Sequence, residues 1–178
     1  MIPAINDIFF YFATLFAINV IFVSEQSIIT IDLSNKTGQF EYINLKTPLN
    51  SIDFAVSGLK NIDDANKFDD YFSQLTLTST KIYKSRNGLN ATLKFSFKNK
   101  NNLLDLLYFY TSPNGNLEYR ILECEKIISS NGKLSKQDEF YHVQWDNETR
   151  RIELKLKHRK LKDQDFDQMV SLLNYWKE

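Results

Sequence analysis

Cys124 is the only cysteine in this 178-residue chain, which excludes an intramolecular disulfide and any site built on paired thiolates. A lone thiol in a strand-like run reads as a small core residue. His142 and His158 are the only histidines, both on strand-like runs among charged residues, so no metal-spaced His/Cys cluster is present. With five glycines in all, the chain has no phosphate-cradling glycine loop, and it has no nucleophile elbow. Excess charge is missing as well. Lys+Arg and Asp+Glu balance at 22 each, so no global field recruits nucleic acid or an anionic membrane. No catalytic, cofactor-binding or metal-binding residue is assigned on these grounds, and the chain reads as non-enzymatic.

What the chain does have is apolar surface. It is 43% hydrophobic and 14% aromatic, enough to bury the core of one medium domain. Ile8–Val23 is an uncharged run; as a helix it spans about 24 Å, somewhat short of a bilayer core of about 30 Å. Extension back over Ile2–Ile5 would suffice. No Lys or Arg precedes the run, and Phe22-Val23-Ser24-Glu25 is a poor cleavage site. Residues 1–24 are read as a signal peptide or membrane anchor, with a buried helix as the alternative. That places the protein in the cell envelope, anchored through this segment or exported.

Period-two alternation is clearest in Leu89–Lys98, where Ala91, Leu93, Phe95 and Phe97 share one face. Asn87-Gly88 predicts a type I′ hairpin turn to a partner strand at Thr80–Arg86. Ser27–Leu33 and Gln39–Leu45 predict a second hairpin. Ser51–Leu59 alternates as a strand, and Asp63 and Asp64 then cap a helix whose stripe is Ala65, Phe68, Phe72 and Leu75. Asn101 and Asn102 cap a second helix carrying Leu103, Leu104, Leu107 and Tyr110, and Leu117–Cys124 returns as a strand. The order predicts an α+β fold with a ferredoxin-like βαββαβ core over about residues 51–124.

A β-rich extension and a terminal helix fill residues 125–178, within a single domain over 27–178. Asn131-Gly132 is a further hairpin signal, and Phe140–Trp145 and Arg151–Lys157 are additional strands. Asp163, Asp165 and Asp167 open the terminal helix, with Phe166, Met169, Val170, Leu173 and Trp176 on one face. Lys155, Lys157, His158, Arg159, Lys160 and Lys162 form a basic strip. It is read as a solvated sheet edge, with a site for an anionic surface, a lipid headgroup or a partner as the alternative.

The run Val56-Ser57-Gly58-Leu59, then Phe68, Phe72, Leu75 and Ile82, and finally Gly88 through Ala91-Thr92-Leu93-Lys94-Phe95, resembles a heavy-metal-associated domain. That family comprises small ferredoxin-like copper or zinc carriers that hold the metal on a Cys-x-x-Cys pair directly after the first strand. Asn61 and Asp64 stand at those positions. Soft thiolates select Cu(I), so the resemblance implies a degenerate member with neither metal nor cofactor.

Other occupants of this topology fit less well. Acylphosphatases need an arginine in the loop after the first strand, and Gly58–Asp63 has none. RNA-recognition motifs stack bases on rings across the open sheet face, whereas Asp53, Ala55, Ser57, Thr92, Lys94, Ser96 and Lys98 carry no ring. Glycosylation-type triplets at Asn35, Asn90 and Asn147 match chance in a chain this rich in Asn, Ser and Thr. The expectation is a binding or structural module of the envelope with a protein partner and no nucleic acid; the alternatives are a metal-independent subunit of a membrane assembly and an enzyme with an unrecognised site.

Overall fold

Alternating apolar residues do dominate the chain, but they close into two antiparallel sheets. The structure, a computed structural model, describes residues 23–63, 74–106, 108–137, 139–158 and 169–177. Strands make up 61% of it, so the α+β ferredoxin-like expectation is corrected to a mostly antiparallel β protein.

The first sheet contains β1 (Val23–Asp32), β2 (Thr37–Pro48), β3 (Leu75–Ser85), β4 (Gly88–Phe97), β7 (Glu125–Ser130) and β10 (Arg151–His158). Their order is β3-β4-β2-β1-β10-β7, and β11 (Met169–Ser171) pairs with the end of β2. The second sheet runs β5 (Phe109–Thr111), β6 (Leu117–Ile121), β9 (Phe140–Trp145) and β8 (Lys133–Gln137). Ile29, Ile31, Phe40, Leu93, Phe95, Ile152 and Leu154 from the first sheet share one apolar cluster with Phe109, Leu117, Tyr119, Val143 and Trp145 from the second.

Ile52–Asp63 is not a strand but the α-helix α1. Ile52, Ala55 and Leu59 recur at helical spacing. Ala55 and Leu59 are buried and Phe54 is exposed, the opposite of what alternation requires. The residues that open the metal-carrier resemblance, Val56–Leu59, therefore lie in a helix. Asn61 is also in α1, and Asp64, with Ala65, Phe68 and Phe72, lies outside the described residues. Leu75 opens β3 instead of closing a helix.

The helix expected after Asn101 is a short 3-10 segment, Lys100–Asp105. Asn99 caps it, and Asn102 returns the bond in a reciprocal capping box. Leu103, Leu106 and Phe109 are all buried. Their three-residue spacing suits a 3-10 turn running into β5 better than an α-helix.

The terminal helix is corrected too. Met169–Ser171 is strand β11, and a 3-10 turn at Leu172–Asn174 follows, capped by the Ser171 side chain. Leu172 and Trp176 are the buried anchors. Asp163, Asp165, Phe166 and Asp167 lie outside the described residues.

Two hairpins match the alternation: β1–β2, and β3–β4, in which Ser85 pairs with Gly88. The turn residues of β3–β4 are Arg86 and Asn87, neither with positive φ, while Gly88 at φ +127 begins β4. Asn131-Gly132 is not a hairpin. β7 pairs with β10 and β8 pairs with β9, so this dipeptide carries the chain from one sheet to the other. β10 lies between β1 and β7, so Lys155 and Lys157 are on an interior strand, not a solvated edge. Arg159, Lys160 and Lys162 lie outside the described residues.

Residues 1–22 are also outside the described residues. Val23 and Ser24 already belong to β1, opposite Lys46 and Leu45, and both are buried. Among the described residues no helix is long and apolar enough to cross a membrane.

Candidate functional site

The second sheet concentrates the chemistry. On β6, Leu117, Tyr119 and Ile121 face the core, which leaves Glu118 and Arg120 on the other side. On β9, Val143 and Trp145 face the core and His142 and Gln144 do not. The registers Glu118↔Gln144, Arg120↔His142, Ser135↔His142 and Tyr110↔Glu118 place these side chains on one face.

The Tyr110 hydroxyl and His142 Nδ1 are hydrogen-bonded, and Gln144 Nε2 donates to Glu118 Oε1 at 2.7 Å. Arg120 stacks its guanidinium over the Phe140 ring, 3.5 Å from the centroid. Burial and then the neighbouring Glu118 carboxylate push the Tyr110 hydroxyl pKa upward, so it stays protonated. Glu118 is 1% exposed. Its Oε2, with Arg120 Nε and Ser135 Oγ, is buried without a hydrogen-bond partner among the described residues.

Where β6 ends, the chain turns through Glu123 and Cys124 into β7, and the buried Glu125 side chain reaches back to β6 and the turn. Tyr119 Oη donates to its Oε1 at 2.9 Å and the Leu122 amide to its Oε2 at 3.0 Å. The carboxyl is 3% exposed. Burial raises its pKa to about 7, against the lowering effect of those two donors. Beside it opens a cleft of about 360 Å³. Ile121, Ile127, Leu134, Phe140 and Tyr141 give it apolar walls, with Lys126 and Glu139 among the polar ones.

His158 pairs directly with Glu125 across β10 and β7, and Ser27 Oγ and His158 Nε2 are hydrogen-bonded at 3.1 Å. Burial lowers the His158 pKa to about 4, so the ring is neutral and suits a structural bond. Ser27 is buried in β1 and does not line the cleft.

The lone Cys124 is buried, as its setting in the sequence suggested. Among the described residues no three His, Cys, Asp or Glu side chains converge to hold a metal. Asn90 is buried with its Oδ1 accepting the Asn44 amide at 3.1 Å, so its triplet is no surface acceptor. Neither Glu118 nor Glu125 was singled out from the sequence. The alternation of β6 and β9 could have placed Glu118 with His142, but nothing local marks Glu125.

Comparison with models of known protein families, with curated proteins and with solved structures finds no match.

Proposed function

We propose that the protein is a non-enzymatic binding module of the cell envelope that seats an apolar side chain of a protein partner in the cleft beside Glu125. One observation carries this reading. Leu134 and Tyr141 are 55% and 50% exposed, although Val143 and Ile121, their partners across the sheet, are buried. Cross-strand partners share a face. The apolar face of the β8–β9 hairpin therefore runs past the cover given by the first sheet. Exposed apolar surface around a concave floor is what an interaction site presents.

Binding is favoured over acid–base catalysis by Glu125. A carboxyl titrating near neutrality suits either role, but both of its oxygens already accept hydrogen bonds. No serine, cysteine or histidine is among the described residues lining the cleft. The uncharged run Ile8–Val23 supports the envelope setting.

The aromatic dye anilinonaphthalene sulfonate serves as a probe for the apolar anchor. The full chain should bind it saturably at one site. Leu134→Asp and Tyr141→Asp should each weaken it about tenfold, or about 1.4 kcal/mol, with circular dichroism unchanged. Undiminished binding in both variants would overturn the cleft as the site. Recovery of the full chain from a soluble cytosolic fraction would overturn the envelope setting alone.

A further inference from the structure

Three segments meet at one end of the molecule, and each brings one cation. Lys36 comes from the turn between β1 and β2, Lys100 from the 3-10 segment after β4, and Arg150 from the turn between β9 and β10. All three line a cleft of about 600 Å³, together with Ser34, Asn99 and Thr149. Among the described residues Glu148 is the one carboxylate in the lining, in a chain whose charges otherwise balance. Buried Phe97 supplies an apolar surface below them. The volume lies in the range of clefts that hold small molecules, roughly 300–1,000 Å³.

The walls are tied together by the protein itself. The Leu33 amide donates to Arg150 O at 2.8 Å, and the Phe97 amide donates to Lys36 O at 3.0 Å. The other acids of these turns are engaged and do not line the cleft. Asp32 Oδ1 accepts the Ser34 and Asn35 amides at 2.9 and 2.8 Å. Asp146 Oδ1 accepts the Glu148 and Thr149 amides at 3.1 and 2.8 Å, and the Thr149 hydroxyl at 2.8 Å.

Lys100 Nζ donates to Gly115 O at 3.1 Å and to Asn147 Oδ1 at 2.9 Å. An ammonium has three protons to donate, so among the described residues one is left for a ligand. Burial lowers the Lys100 pKa while Asp146 opposes it; an anion in the cleft would offset that desolvation.

We propose that this cleft binds a small phosphate-bearing ligand, its oxyanion held between Lys36, Lys100 and Arg150. Charge-assisted donors lining three walls of one cleft match the several acceptor oxygens and multiple charge of a phosphate group. The proposal is independent of the cleft beside Glu125, which none of these residues lines.

The test is calorimetric titration of the full chain with inorganic pyrophosphate and with inorganic phosphate. One saturable site is expected, tighter for pyrophosphate. Arg150→Ala changes an exposed side chain and should weaken it about tenfold or more, as should Lys100→Met. Lys81→Ala, on the exposed side of β3, should leave the affinity unchanged. Absence of saturation would overturn the proposal. So would full affinity in Arg150→Ala, or equal weakening by Lys81→Ala, which would indicate diffuse charge attraction only.

Discussion

The indole Nε1 of Trp145 donates to Asn131 Oδ1 at 2.8 Å, at the point where the chain leaves β7 for β8. The same oxygen accepts the Glu153 amide at 2.9 Å, and Asn131 Nδ2 donates to Arg151 O at 2.7 Å. One amide side chain thus ties β9 of the second sheet to β10 of the first. Asn131→Ala leaves a buried indole donor and a strand amide unmatched, and should cost about 2–4 kcal/mol in urea unfolding. Asn131→Asp keeps the acceptor and should cost less. Wild-type stability in Asn131→Ala would show that water replaces the tie at no loss.

Next to it, a Cβ on Gly132 would lie 2.5 Å from Val143 Cγ1 and 2.7 Å from Trp145 Nε1. Gly132→Ala should therefore displace the Trp145 ring and lower stability by about 1–3 kcal/mol. An unchanged near-ultraviolet tryptophan signal would count against that displacement.

Phe95 is 4% exposed and stacks on Phe40, with ring centroids 5.3 Å apart. Phe95→Ala should cost about 3–5 kcal/mol, whereas Lys94→Ala, pointing the other way, should cost under about 0.5 kcal/mol. A Cβ on Gly38 would run into the Phe95 ring, so Gly38→Ala should behave like a partial loss of Phe95. Equal thermal midpoints for Phe95→Ala and Lys94→Ala would refute the facing of β4.

Glu125 and His158, paired across β7 and β10, should give opposite pH slopes. Glu125 titrates near 7 when folded against a usual 4.5. The folded state therefore binds the extra proton, and the stability it adds is present below 4.5 and lost as pH rises through 7. That loss is on the order of 3 kcal/mol. His158 titrates near 4 against a usual 6.5, so its neutral form gains stability as pH rises from 4 to 6.5. The two slopes oppose each other in the wild type. Urea unfolding of Glu125→Gln across pH 4–7 should show a net rise relative to wild type, and His158→Gln a net fall. Parallel curves for the three proteins would contradict the burial of both groups.

The chain ends give the last contrast. Removing Met169–Glu178 strips β11 from β2 and removes the buried Leu172 and Trp176. Size-exclusion should then show association through the exposed core. A cut before Val23 keeps the whole of β1 and should leave a folded, monomeric protein. The reverse pattern would place the N-terminal run in the core.

Local alternation was readable residue by residue. Leu89–Lys98, Ser27–Leu33, Gln39–Leu45, Phe140–Trp145 and Arg151–Lys157 all coincide with strands. In an extended backbone the direction of each side chain depends only on its place in the run. The lone buried cysteine was legible for the same kind of local reason. Strand against helix was harder in short apolar runs, because Ser51–Leu59 satisfies both periods and only the packing of Ala55 and Leu59 decides between them.

Beyond the two local hairpins, β1–β2 and β3–β4, the partner of each strand was not in the sequence. Asn131-Gly132 has the chemistry of a tight hairpin, yet β7 and β8 belong to different sheets because β10 and β9 take their backbone hydrogen bonds. Pairing between distant segments is chosen by which apolar faces can be buried together, and no stretch of residues encodes that alone. The candidate sites follow from the same choice. Glu125 titrates near neutrality because its burial beside the apolar walls of the cleft outweighs the hydrogen bonds from Tyr119 and the Leu122 amide. Lys36, Lys100 and Arg150 meet because three turns, far apart in the chain, close one end of the two sheets. The sequence by itself determined which residues face together along each strand; the tertiary structure decided which strands, and therefore which charges, meet.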